Sequence, residues 1–150
     1  MEASNKTILL RISTPAREVY SAKVKQITLP TQAGEITVLP GHTPLLSAIK
    51  GGVLRALDEN DTEVLLAISG GFIEVDGEKM NVLADSADRA EELDEAKIEA
   101  ARQAATKEMS EKRHDKVGFA DAASMLEREL ARLQLIKRIK SHRSKGSEHN

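Results

Sequence analysis

Four histidines are the first residues to weigh for chemistry: His42, His114, His142 and His149. A metal site or a general base needs such a side chain near a second ligand or a nucleophile. These histidines lie far apart in the chain, and none has a partner at helical or cysteine-type ligand spacing. His42 follows a turn and reads as a hydrogen-bonded loop histidine. No cysteine is present, which excludes disulfides, thiolate metal sites and a cysteine nucleophile. GxSxG, HExxH, P-loop and GxGxxG patterns are absent. The pairs Gly51-Gly52 and Gly70-Gly71 open no helix with a following Lys and Ser/Thr, so they read as bends between strands, not as phosphate loops. The carboxylate pairs Asp58/Asp61 and Glu91/Glu92 fall in stretches that read as a solvated turn and a linker. By itself the chain is not expected to be an enzyme.

The elements that must position any site divide into two halves. All four prolines and seven of the nine glycines precede residue 78, whereas Ala occurs ten times after Asp88. The first half therefore reads as strands and turns, the second as helix. Ile8, Leu10 and Ile12 alternate along a first strand that ends near Thr14-Pro15. A second runs over 22–29 and stops at Pro30, and Gln32-Ala33-Gly34 turns into a third over 35–39. Pro40-Gly41 suits a type II turn, because Gly accepts the positive φ at its third position. Strands over 53–57 and 62–69 flank the polar turn 58–61; strands over 72–75 and 78–84 flank Asp76-Gly77, a strong hairpin signal. Short strands with closely spaced turns predict a β-sandwich or barrel.

Asp94 is a good N-cap for a helix running to about Lys112, with Ala96, Ala100, Ala101, Ala104 and Ala105 as a small-residue stripe. A second helix is expected from about Phe119, with Phe119, Ala122, Ala123, Leu126, Leu130, Leu133 and Ile136 on one apolar face. The linker 114–118 is short enough to force an antiparallel hairpin. The basic tail from Lys137 is expected to fray in solvent. The fold class is thus α+β: an N-terminal β-sandwich over 1–88, then a C-terminal antiparallel two-helix hairpin with a basic tail over 89–150. A hairpin with an alanine seam is a weak unit alone, so it must dock on the sandwich, pack on another protein, or exchange between the two.

Composition narrows the function classes. About a quarter of the residues are Leu, Ile, Val or Phe, enough for a folded core. The net charge of −2 argues against a general nucleic-acid or membrane-surface binder, and one Tyr with two Phe offers few stacking platforms for bases. The longest apolar run, Val64–Ile68, cannot span a membrane. No signal or transit peptide is expected before the first strand.

Four segments carry a resemblance, in register, over roughly residues 7–140. Gly34-Glu35 followed by Leu39-Pro40-Gly41-His42-Thr43-Pro44-Leu45-Leu46, then Ser69-Gly70-Gly71-Phe72-Ile73-Glu74-Val75, then Val82-Leu83-Ala84-Asp85, then Leu93-Asp94-Glu95-Ala96-Lys97 resemble the epsilon subunit of bacterial and chloroplast F-type ATP synthases. The resemblance implies a non-catalytic central-stalk subunit that helps couple proton translocation to ATP synthesis. It implies a sandwich bound to the gamma subunit and the c-ring. The hairpin would be a regulatory arm, permissive when folded on the sandwich and inhibitory to ATP hydrolysis when extended into the catalytic alpha/beta head. The expected location is the cytoplasmic face of a bacterial plasma membrane, peripheral and held through partners, with no direct insertion and no nucleic acid.

Residue by residue, Glu35 and His42 match the polar positions bracketing the ring-facing loop, where they would hydrogen-bond ring loops or simply stabilise a turn. Thr37 stands where the family often has Gly. Asp94 and Lys97 match the acidic and basic positions of a nucleotide motif that some members use, and Arg128 and Arg132, one turn apart, match its further cations. A guanidinium pair at that spacing suits a triphosphate; the alternative is a capped helix with a solvated basic face. Lys97 replaces the usual Arg, and Ile98 the usual small Ala. No cofactor is required, and ATP enters as a regulatory ligand in the alternative reading of the chain as an ATP-sensing module.

Overall fold

The computed structural model describes residues 6–147. Within them lie seven strands: β1 (Ile8–Ser13), β2 (Glu18–Thr31), β3 (Gly34–Val38), β4 (Leu45–Ala48), β5 (Gly52–Asp58), β6 (Glu63–Asp76) and β7 (Lys79–Arg89). A short 3-10 turn, Ala90–Glu92, leads to α1 (Glu95–Glu111) and α2 (Lys116–Ser147). The order β1-β7-β6-β5-β2 closes on itself, because β1 pairs antiparallel with β2 and parallel with β7. Strand β3 extends the ladder beyond β2, and β4 pairs with β6. The result is a β-sandwich whose two layers share strands at their edges, followed by the helical hairpin.

Alternation builds the core. Ile8, Leu10 and Ile12 point inward from β1, Leu54 and Ala56 from β5, Leu66, Ile68, Ile73 and Val75 from β6, and Met80, Val82 and Ala84 from β7. Each fully buried Leu or Ile contributes about 2 kcal/mol of transfer free energy.

The strands differ from expectation in four places. β2 starts at Glu18 and runs through Pro30, whose carbonyl accepts the Lys50 N–H at 3.2 Å. β4 was not expected: its sequence, Leu-Leu-Ser-Ala, is too short to show a period. β7 runs on to Arg89. The two strands expected around Gly70-Gly71 are one continuous β6. Both glycines have positive φ (67° and 90°), so β6 bends there; its first half pairs with β5 and its second with β4. A Cβ on Gly71 would run into the Leu83 carbonyl, so glycine is required on two counts.

The hairpin is antiparallel, with Asp94 capping α1 by accepting from the Ala96 and Lys97 amides at 3.1 and 3.3 Å. α2 starts at Lys116, not Phe119, because Asp115 accepts from the Val117 and Gly118 amides and places Gly118 inside the first turn. The basic tail is helical, since α2 continues through it to Ser147. Of the alanine stripe, Ala105 is buried and Ala101 half-buried, while Ala96, Ala100 and Ala104 face solvent. The inward face of α1 is set by Ile98 and Ala105, and Ala96 and Ala100 stand about 200° around the helix from Ile98. α2 has two working faces rather than one. It packs along α1, and through Ala131 and Leu135 it seats on β6 beside Ala67. Phe119 and Leu130 remain partly exposed, at 38% and 42%.

Candidate functional site

No cluster of three or more metal-ligating side chains occurs among the described residues. Three of the four carboxylates singled out in the sequence have partners. Asp58 accepts from the Asn60 and Thr62 amides of its own turn, Asp61 pairs with Lys25 at 2.6 Å, and Glu92 pairs with Arg17 at 2.9 Å. His42 places Nδ1 2.6 Å from its neighbour's carbonyl, Thr43 O, and His142 places Nδ1 2.9 Å from Arg138 O. His114 is exposed on the turn between the helices, and His149 lies outside the described residues. What remains is a set of contact surfaces.

The first comprises Glu35 and His42. The segment between them is half strand and half turn: Glu35 lies within β3, and His42 lies four residues beyond its last residue, Val38. Glu35 accepts from Arg55 at 3.1 Å across β2, and its side chain stays 62% exposed. His42 closes the turn in which Gly41 has φ 82° and the His42 amide donates to Leu39 O.

The second is apolar. Leu46, Phe72 and Leu83 are 71%, 56% and 55% exposed. The β-ladder puts Phe72 opposite both Ala48 and Leu83, with Leu46 two residues from Ala48 on the same side of β4, so they share the outer face of β4, β6 and β7. Exposed apolar clusters of this kind mark contact sites. Sequence reasoning passed over this patch, although the signal was there: Phe72 and Leu83 occupy the outward phase of strands whose inward phase is Ile73/Val75 and Val82/Ala84.

The third surface is the seam where α2 meets the sandwich. Its apolar content is small: Ala67, Ala131 and Leu135 are buried, with Val53, Leu65, Leu93 and Ile139 at the margin. Charge holds the rest. Arg132 donates to Asp88, at the end of β7, through Nε at 2.8 Å and Nη2 at 3.2 Å, and to Glu129 through Nη1 at 2.9 Å. Partial burial pulls the Arg132 guanidinium pKa down, but the Asp88 and Glu129 carboxylates outweigh it, and the net direction is up. Glu127 accepts the Gly51 amide at 2.6 Å. Asp88, Glu127 and Glu129 carry this seam and were not singled out in the sequence, because their partners lie 44 and 76 residues away or on the inner side of a long helix.

The residues expected to hold nucleotide fall into two groups. Arg128 and Arg132 come together, both on Glu129, with Arg128 Nε at 3.4 Å. Arg128 also borders a cavity of about 130 Å³ shared with Ser69, Asp85 and Ser124. Asp94 and Lys97 sit apart from them. Asp94 is spent on the Ala96 and Lys97 amides, and no hydrogen bond or ion pair joins Asp94 or Lys97 to Arg128 or Arg132 among the described residues.

A closed β-sandwich with an outward apolar patch and a helical hairpin latched by ion pairs defines a subunit built for assembly. The comparisons with known proteins agree. Residues 7–90 match the family described as "ATP synthase, Delta/Epsilon chain, beta-sandwich domain". The chain is 37% identical over 132 residues to ATP synthase epsilon chain 2 of Ralstonia nicotianae, covering 88% of this chain and 94% of the relative. To the ATP synthase epsilon chain of Psychrobacter arcticus it is 38% identical over 135 residues, covering 90% and 97%. In solved structures, a chain of the Euglena gracilis mitochondrial ATP synthase (OSCP/F1/c-ring) superposes with a TM-score of 0.70 at 24% identity, over 85% of this chain and 79% of that one. The chain belongs to the ATP synthase epsilon family, whose members are subunits of the complex rather than its catalytic chains.

Proposed function

We propose that this chain works in the central stalk of a proton-translocating ATP synthase at the cytoplasmic face of a bacterial plasma membrane, helping to couple proton flow to ATP synthesis, with the hairpin regulating ATP hydrolysis. The outer face bearing Leu46, Phe72 and Leu83 is the surface for the gamma subunit, and the Glu35 and His42 ends are the polar contacts for the c-ring. The observation that carries the regulatory reading is the seam. α2 brings the hairpin onto β5 and β6, through a small apolar contact and a charge latch, so leaving the sandwich costs far less than unfolding it. Once released, the basic stretch Lys137, Arg138, Lys140, Arg143 and Lys145 is available to an acidic surface of the catalytic head.

The test is a tether. A Cβ on Gly51 would stand 2.5 Å from Glu127 Cγ, within disulfide reach, and no native cysteine interferes. Gly51→Cys combined with Glu127→Cys therefore locks α2 down when oxidised. Added to catalytic head and gamma, the wild-type chain is expected to slow ATP hydrolysis; the oxidised double variant binds gamma without slowing it, and reductant restores inhibition. Equal inhibition by the locked and free forms overturns the regulatory reading.

A second reading, ATP sensing, draws on the Arg128/Arg132 pair. A triphosphate would compete with Asp88 and Glu129 for those guanidinium groups, with Asp94 and Lys97 supplied only after α1 slides along α2. Calorimetric titration with ATP is then expected to show binding that Arg128→Ala and Lys97→Ala each abolish. A flat titration of the wild-type chain removes this reading and leaves the stalk role standing.

A further inference from the structure

Arg138 was read in the sequence as part of a basic tail, yet its side chain turns back onto the sandwich. It borders a cleft of about 730 Å³ between α2, the β2–β3 turn and the segment joining β4 to β5. Its Nε is buried and has no hydrogen-bond partner, and no carboxylate pairs with it among the described residues. Buried guanidinium nitrogens are ordinarily paired, so a missing acceptor is the feature to explain. Two further cations line the same cleft: Lys50, exposed and in no ion pair among the described residues, and Arg55, which is already paired with Glu35 of the same wall. The acidic groups nearby are committed, Glu35 to Arg55 and Glu127 to the Gly51 amide. Gln134 adds an amide from α2. Gly52 keeps the cleft open, because a Cβ there would stand 2.8 Å from Pro30 Cγ and 3.4 Å from Gln134 Oε1.

We infer that this cleft binds a small phosphate-bearing anion, with Arg138 on the helix side and Lys50 and Arg55 on the sandwich side. The planar guanidinium fork of Arg138 suits two phosphate oxygens, and the Lys50 ammonium adds a mobile point charge. The cleft is within the usual size range of small-ligand sites, large enough for a single phosphate group or for the phosphates of a nucleotide. It is distinct from the Arg128/Arg132 pair, which faces Asp88 and Glu129. Because its walls belong to both regions, an occupant holds α2 against the sandwich. This requires the docked hairpin, but neither gamma binding nor inhibition of hydrolysis.

The experiment uses the full chain, with amide chemical shifts followed by NMR as inorganic phosphate, pyrophosphate and ATP are added separately. Saturable shifts centred on Gly51, Gly52 and Gln134 are expected. Arg138→Gln should weaken binding about tenfold, as the loss of a charge-assisted bond implies, and Lys50→Gln, an exposed change harmless to folding, should weaken it by a smaller factor. Tighter binding of inorganic phosphate or pyrophosphate than of ATP identifies a free inorganic anion as the occupant; the reverse identifies a nucleotide. At tenfold excess over Kd, hydrogen exchange through opening of α2 should slow about elevenfold. Shifts that never saturate, that spread along Lys137–Lys145, or that persist unchanged in both variants overturn the proposal. Because the stalk role is read through gamma binding, failure of one leaves the other intact.

Discussion

The sandwich and the seam that ties the hairpin to it are built from different materials. Among the described residues the sandwich core buries nineteen apolar side chains, contributed by all seven strands except β4 or by the segments joining them. The seam buries Ala67, Ala131 and Leu135, and relies on Arg132, Asp88, Glu129 and Glu127 for the rest. Apolar burial is non-directional and accumulates with area. Partly buried ion pairs are directional and recover only part of their desolvation cost. The sandwich therefore holds itself together chiefly by apolar burial, whereas the hairpin is held to it largely by charged groups.

The largest effect should come from the core. Leu54→Ala removes a fully buried side chain and is expected to destabilise global unfolding by about 3 kcal/mol, read from urea titration of sandwich signals. Gly71→Ala forces a side chain onto a positive φ and against the Leu83 carbonyl, and should cost the sandwich about 2–3 kcal/mol in the same titration. Arg132→Ala sharpens the contrast. It leaves Glu129, 3% exposed, without its main counter-charge, and should cost about 2 kcal/mol of hairpin docking. Read as hydrogen exchange, that is roughly a 30-fold faster opening of α2, with β6 amides unchanged. Asp94→Ala removes the cap of α1 and should cost about 1 kcal/mol of local helix stability, seen as faster exchange at Ala96 and Lys97 alone.

The smallest effect is a pH dependence. The hydrogen bond from Arg102 holds the Glu99 carboxyl below its ordinary 4.5. A depressed carboxylate stabilises the fold fully above its unfolded value, and that contribution is lost as pH falls through the lower folded value. Acidification below about 4.5 should thus loosen α1 slightly, and Glu99→Gln should remove that part of the profile.

Much of this was legible in the sequence. The division into strands and helices, the first strand from Ile8/Leu10/Ile12, the Asp94 cap and the positive φ at Gly41 all follow from local chemistry, and the family resemblance rested on four segments in register. β4 was not legible, since four residues carry no period, nor was the continuity of β6, since glycine pairs usually separate strands. The alanine stripe misled because Ala fits an exposed helical face as well as a close-packed one; one Ile, at 98, decided which way α1 turns. The latch was invisible for a different reason: Asp88 and Arg132 meet only after both the sandwich and the hairpin have formed.

Native-state hydrogen exchange across rising denaturant tests the central claim most directly. Amides of Ala131 and Leu135 in α2 should open at a free energy several kcal/mol below those of Leu66 and Ile68 in β6, with a weaker denaturant dependence because little surface is exposed. If both sets open together, at one free energy and one denaturant slope, the hairpin is part of the same cooperative unit as the sandwich and the account of a detachable arm is wrong.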